Sequence, residues 1–338
     1  MSNDGSGGET SIKLGLNSDA TKLGSIAIGY NAIAGDDDSG TSSCAVGDNA
    51  NATGNTSFAL GYNSNASGLG SVSIGDTTIS SGRESLALGY HSIATGEGSS
   101  SVGDTCNSTS KGSFAMGYFC SATAEGSFSV GDSCNSSEKG AISIGYHCNS
   151  NGESSISIGD QAKTTGSASI AIGYIANASN IASVAIGDQA NCISDYSISI
   201  GNKTISGNLN GPGIAIGNKA SATGSESVAI GPNATTTEDN HIALGDSNAS
   251  VDILGDLSIA NDITIQGTSL INTLSTINDS LSQITVTDTR PTVNTGNIND
   301  ALLYATETTV ELCICVQSAS NTNGAIWVIF EPDNTIGV

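Results

Sequence analysis

Four cysteines, Cys106, Cys120, Cys134 and Cys148, follow one another at intervals of 14 residues. Thiols in that number raise three chemistries: metal binding, disulfide formation and redox cycling. A zinc site needs ligands that converge on one point, whereas equal spacing sets these four in a column, with His91 and His147 offset from it. Disulfides between neighbouring in-register strands are strained. Elsewhere in the chain the same slot holds Ala or Ser, so the four read as small buried fillers of a narrow core. Cys313 and Cys315 share one face of a terminal strand and read as core too. No metal site and no cofactor are assigned.

The acids are more numerous and equally regular. Asp48, Asp76, Asp104, Asp132, Asp160 and Asp188 alternate with Tyr30, Tyr62, Tyr90, Tyr118, Tyr146 and Tyr174, and the series breaks at Asn202. Such rungs lack the clustered oxygens that Ca²⁺ requires. The alternation instead keeps like charges two strands apart. Asp36, Asp37 and Asp38 form the one speculative cation loop, with a solvated acidic bulge as the simpler reading. The three histidines, His91, His147 and His241, form no Ser/His/Asp grouping, and no carboxylate pair stands out for glycoside cleavage. The chain therefore reads as a non-enzyme. With 32 acids against 9 Lys and Arg, a net charge of −23, it excludes nucleic acid as a partner. No apolar run is long enough to insert in a membrane.

What positions these residues is a repeat. Apolar–small–apolar–Gly recurs from Ile12 to Gly245, as in Ile26-Ala27-Ile28-Gly29 and Ile242-Ala243-Leu244-Gly245. Every step between repeat glycines is 14 residues except two, Gly29 to Gly47 and Gly201 to Gly217. A fixed short period marks a solenoid. The two large residues lie at i and i+2, hence on one face of a strand. Small residues at Gly+3 and Gly+5 (Ala32 and Ala34, Ser64 and Ala66, Ala176 and Ala178) form a second strand. Each turn is expected to set the large pair against the small pair across a thin core, in strands of about five residues. A serine four before most of these glycines (Ser25, Ser57, Ser71, Ser155) suits backbone bonding at the far corner. Stacked at about 4.8 Å, sixteen steps make a rod on the order of 77 Å.

Ser-apolar-Ala-Ile-Gly followed by small-x-small at this spacing resembles the head repeat of trimeric autotransporter adhesins, the YadA-like heads, over residues 11–250. The resemblance implies an all-β, left-handed parallel β-roll solenoid, three rolls to a homotrimer. Residues 1–10 read as a flexible segment without the basic and apolar regions of a signal peptide. Residues 251–268 read as an intertwined β-neck like those of phage and virus fibres. Leu270, Leu274, Ile277, Leu281 and Ile284 give a short trimeric coiled coil over 269–285, which would set the register of the trimer. Residues 286–338 read as a small β tip module that gathers Tyr304, Trp327 and Phe330, the receptor-contact candidates.

These readings point to a fibre or adhesin protein on the surface of a virus or phage particle, assembled in the host cytoplasm. Its partners would be a virion base, tail or capsid protein and a host receptor or glycan. The alternatives are a structural spacer or decoration rod without a receptor and a bacterial surface adhesin fragment.

Overall fold

The computed structural model describes residues 10–35 and 42–254, together with Asp256, Ser258 and the backbone of six later strands. Two compact units divide at Val251 and Asp252. The first is a parallel β-solenoid with a 17-stranded and a 16-stranded sheet. Among the described residues there is no helix. In the larger sheet each strand pairs with the strand one turn on, in strict register: Ile142 opposite Ile156, Ser143 opposite Ser157, Gly145 opposite Gly159. The smaller sheet pairs in the same way, as Asn149 with Lys163 and Ser150 with Thr164. Strands of the larger sheet run 3 to 5 residues, as in Ile26–Ile28 and Ile170–Tyr174. Those of the smaller run only 2, as in Asn177–Ala178, so the second strand is shorter than the sequence suggested.

The facing of the larger sheet is the reverse of that expected from size. The middle residue of each triplet turns inward: Ala27, Ala59, Ser73, Ser143 and Ala171 are fully buried. The flanking Ile, Val, Leu and Phe turn outward, with Leu88 38% and Met116 40% exposed. The Gly+3 and Gly+5 residues are buried as the pattern required, Ala32, Ala34, Ser64, Ala66, Ala176 and Ala178 among them. The interior is thus lined by Ala, Ser, Thr and Cys, and its largest fully buried side chains are Thr78, Thr164 and Thr204 with the column cysteines. A 14-residue turn with two tight corners brings its sheets too close together for an isoleucine between them. Alternation decides which residues share a face, while the available width decides which face lies inside.

Most buried hydroxyls find partners within or between turns, although those of Thr21, Ser57, Ser71 and Ser101 have none. Ser73 Oγ lies 2.8 Å from Thr78 Oγ1, and Ser199 Oγ donates to Thr204 Oγ1 at 2.8 Å. Most of the serine column staples the far corner: Ser155 Oγ donates to the Gly152 carbonyl at 2.7 Å and accepts from the Gly152 amide at 3.2 Å. Ser155→Ala removes a donor from a buried carbonyl and is expected to cost about 1–3 kcal/mol. Urea unfolding should show that loss, and no comparable one for the exposed Ser167→Ala.

Each turn bends through two left-handed corners. The repeat glycines hold φ near +130°, with 137° at Gly29 and 132° at Gly145. Two residues on, the chain is again left-handed with a side chain present, as at His91 (φ 49), Phe119 (φ 49) and Ile175 (φ 51). A β-branched residue there, as at Ile175, is strained, whereas Asn, which tolerates this region, fills the slot at Asn17, Asn31, Asn49, Asn63 and Asn233.

In the second unit a short antiparallel pair joins Thr264–Ile265 to Thr268–Ser269, reaching one residue past the segment expected to be a neck. A four-stranded sheet follows, in the order Thr285–Thr287, Ala301–Ala305, Val310–Gln317 and Ile326–Phe330. Its first pairing is parallel and its other two antiparallel. Of the coiled coil expected over 269–285, Ser269 and Thr285 fall in these strands, and the seam residues Leu270, Leu274, Ile277, Leu281 and Ile284 lie outside the described residues.

Candidate interaction surface

The outward face of the larger sheet carries two apolar columns along the whole roll. One runs Ile26, Cys44, Phe58, Val72, Leu86 and onward; the other runs Ile28, Val46, Leu60, Ile74, Leu88 and onward to Leu244. From Ile12 to Leu244 the only polar member of either is Ser100, and neither holds a charge. In-register pairing stacks like on like, and Phe114 and Phe128 lie stacked with ring centroids 5.0 Å apart. Sequence reasoning picked out these residues but assigned them to the interior.

A third column on the same face is the Tyr/Asp series, since Gly+1 lies two residues beyond the second apolar position. Tyr90, Tyr118, Tyr146 and Tyr174 are half-exposed, from 45 to 48%. Each of the first three rests edge-on against the next residue in the chain: His91 at 4.1 Å, Phe119 at 4.4 Å and His147 at 4.1 Å between centroids. The alternating aspartates are capped locally. Asp76 accepts from Thr77 Oγ1 at 2.7 Å, Asp104 from Thr105 Oγ1 at 2.6 Å and Asp132 from Ser133 Oγ at 2.6 Å. They serve as corner fastenings, and the column presents aromatic rings beside an apolar stripe.

The smaller sheet's outer face is mainly polar, with Ile33, Ile79, Ile93 and Ile205 interrupting it. Asn135 Nδ2 donates to Asn149 Oδ1 at 3.2 Å, and Asn177 Nδ2 to Asn191 Oδ1 at 2.8 Å. Among the described residues no three of His, Cys, Asp and Glu gather as a metal site would need. Nor is any helix among them long and apolar enough to cross a membrane.

The four column cysteines are buried and free, as the core-filler reading requires. Each thiol donates to a glycine carbonyl of the next turn, as Cys106 Sγ does to Gly117 O at 3.2 Å. With neighbouring thiols on both sides, Cys120 is held below the ordinary thiol value, and Cys106 and Cys134 are held above theirs. Cys44 and Cys192, outside this column, are pushed up by burial.

Asp36, Asp37 and Asp38 lie outside the described residues. Tyr304, Trp327 and Phe330 fall on paired strands of the second unit, Tyr304 opposite Glu311, Trp327 opposite Cys315 and Phe330 opposite Leu312. The side chains of these three, like those of Cys313 and Cys315, lie outside the described residues.

The family model of the YadA head domain repeat matches residues 8–32, 20–39, 39–64, 52–78, 66–92 and 80–105. It matches again over 150–176, 165–190 and 178–204, and over 213–234 and 222–248. Together these stretches cover more than half of the chain. The protein belongs to the YadA head repeat family. No curated protein matches it. The matches to the YadA head repeat stop at residue 105 and resume at 150, and the gap contains the whole cysteine column. YadA-type repeats and the solenoid geometry together make this an adhesin-like fibre protein.

Proposed function

We propose that the roll works as a homotrimeric attachment rod, three copies packed by their outward apolar columns around a common axis. The observation that carries this is the stripe itself. Two columns roughly 7 Å apart over a rod on the order of 77 Å expose at least about 500 Å² of apolar surface. That approaches or exceeds the largest patch a soluble monomer commonly leaves to water. A second copy is the fitting occupant, because an in-register ladder repeats its shape at every turn and matches only a surface of the same period. The flanking tyrosines would rim that contact, as aromatic side chains do in protein interfaces.

On this reading the polar Asn face and the Asp corners stay in water, and the net charge of −23 keeps neighbouring rods apart. Attachment to a host surface, and carriage on a virus or phage particle, are the finer parts of the proposal. They rest on the adhesin-type repeat and on the fibre-like sequence pattern of the segments beyond it.

Sedimentation of the whole chain should give a trimer. Ile144→Asp combined with Ile158→Asp, which puts charge on the stripe and leaves the interior untouched, should release monomers that keep their β-sheet circular dichroism. A monomeric wild type, or a trimer indifferent to both substitutions, would sink the proposal. Attachment is then tested by whether soluble trimer competes with the native particle or cell for host cells.

A further inference from the structure

We propose that the column Cys106, Cys120, Cys134 and Cys148 is a linear binding site for soft monovalent metal ions of the copper(I) and silver(I) class, one ion in each gap between successive sulfurs. Four observations carry it. The cysteines occupy one slot in four consecutive turns whose strands are in register, so their sulfurs recur every turn. Each thiol points along the stack at a carbonyl of the next turn: Cys106 Sγ donates to Gly117 O at 3.2 Å, Cys120 to Gly131 O at 3.1 Å, Cys134 to Gly145 O at 3.1 Å and Cys148 to Gly159 O at 3.0 Å. All four are at most 1% exposed and none is in a disulfide. Finally, these are the turns over which the family model finds no match, so the column marks a departure from the repeat.

The geometry selects the ion. Thiolate sulfur prefers soft cations, and a column offers two ligands per gap, which rules out the tetrahedral set zinc requires. A two-coordinate ion spans two metal–sulfur bonds. On the scale of a zinc–thiolate bond of about 2.3 Å, that is about 4.6 Å, against a strand spacing of about 4.8 Å. The ion takes over the position of the thiol hydrogen, and the glycine carbonyl that accepted that hydrogen lies alongside as a weak third donor.

Charge balance favours a filled column. One ion between two thiols releases two protons and leaves a buried bis-thiolate with one negative charge. Three ions among four thiols release four protons and still leave only one negative charge, because each inner sulfur bridges two ions. Burial penalises net charge, so filling is cooperative.

Serine is a built-in control. Ser64 and Ser92 hold the same slot in other turns, buried, and Ser92 Oγ makes the same bond to Gly103 O at 2.8 Å. Serine variants should therefore fold, which circular dichroism melting verifies. The reduced full chain, kept anaerobic, is titrated with Ag(I) and weighed by native mass spectrometry. The wild type should take up three ions that the variant with all four column cysteines changed to serine does not. Two double variants, each keeping two column thiols, then separate a bridged site from ordinary thiol reactivity. Cys106→Ser with Cys148→Ser leaves Cys120 and Cys134 adjacent and should hold one ion more than the quadruple variant. Cys106→Ser with Cys134→Ser leaves sulfurs about 9.6 Å apart and should hold no more than the quadruple variant. Equal uptake by the two double variants, or undiminished uptake by the quadruple variant, would overturn the proposal.

Discussion

Gly145→Ala should lower the stability of the roll by about 2–6 kcal/mol, the sum of two separate penalties. The first is conformational: Gly145 sits at φ 132, a region that side-chain-bearing residues rarely enter. The second is steric, since a Cβ there would run into the carbonyl oxygen of Gly159 in the next turn. Neither penalty can be relaxed locally, because Gly159 is itself pinned against Gly173 and so on up the column. Gly152 separates the two contributions. Its φ is not in the left-handed region, although a Cβ would also meet a carbonyl, that of Gly166. In three consecutive turns its slot holds Ser110, Ala124 and Glu138, so the backbone at this corner can yield to a side chain. Gly152→Ala should therefore cost about 1–3 kcal/mol. Thermal melting of the two variants of the full chain decides the matter, and equal shifts would mean that the conformational penalty at Gly145 is negligible.

Much of this fold was legible because the chain states it many times over. One Ser-apolar-small-apolar-Gly phrase is a weak signal, but its recurrence from residue 12 to residue 245 leaves only a stacked coil. The glycine corners, the serine staples at Ser155 and its equivalents, and the burial of Ala32, Ser64 and Cys120 all follow from that register. The facing of the triplets did not follow. Ile26 and Ile28 were assigned inward because apolar residues are usually inside, and alternation alone is blind to which side is which. The missing signal was in the sequence: the middle position is Ala or Ser in every described turn that the larger sheet buries, as are most of the Gly+3 and Gly+5 positions. An interior walled by small residues on both sides has no room for a third, larger set. The strained corner at Ile175 was not legible from that residue itself: only the asparagines that share its slot, such as Asn31 and Asn63, signal a left-handed position, and the stacking of whole turns imposes it on the rest. The candidate surface was consequently found in the right residues and on the wrong side of the sheet.

That reversal makes a pair of adjacent residues unusually informative. Ala171 is fully buried, stacked between Ser157 and Ala185, in an interior whose largest occupants are threonine and cysteine. Ala171→Leu forces three extra carbons into the narrowest dimension of the coil and should cost about 3 kcal/mol or more. It should also open the roll around that turn to proteolysis. Ile172, the next residue, faces out between Ile158 and Ile186. Ile172→Ser should leave the β-sheet signal and the protease resistance of a single roll almost unchanged and weaken association between chains instead, which sedimentation detects. If large residues were inside, both results would invert: Ala171→Leu would be a harmless surface change, and Ile172→Ser would hollow the core at a cost of about 2–5 kcal/mol, as for other deletions of a large buried side chain. Limited proteolysis and sedimentation of the two variants thus read out directly which face of the larger sheet the protein keeps for itself and which it offers to a partner.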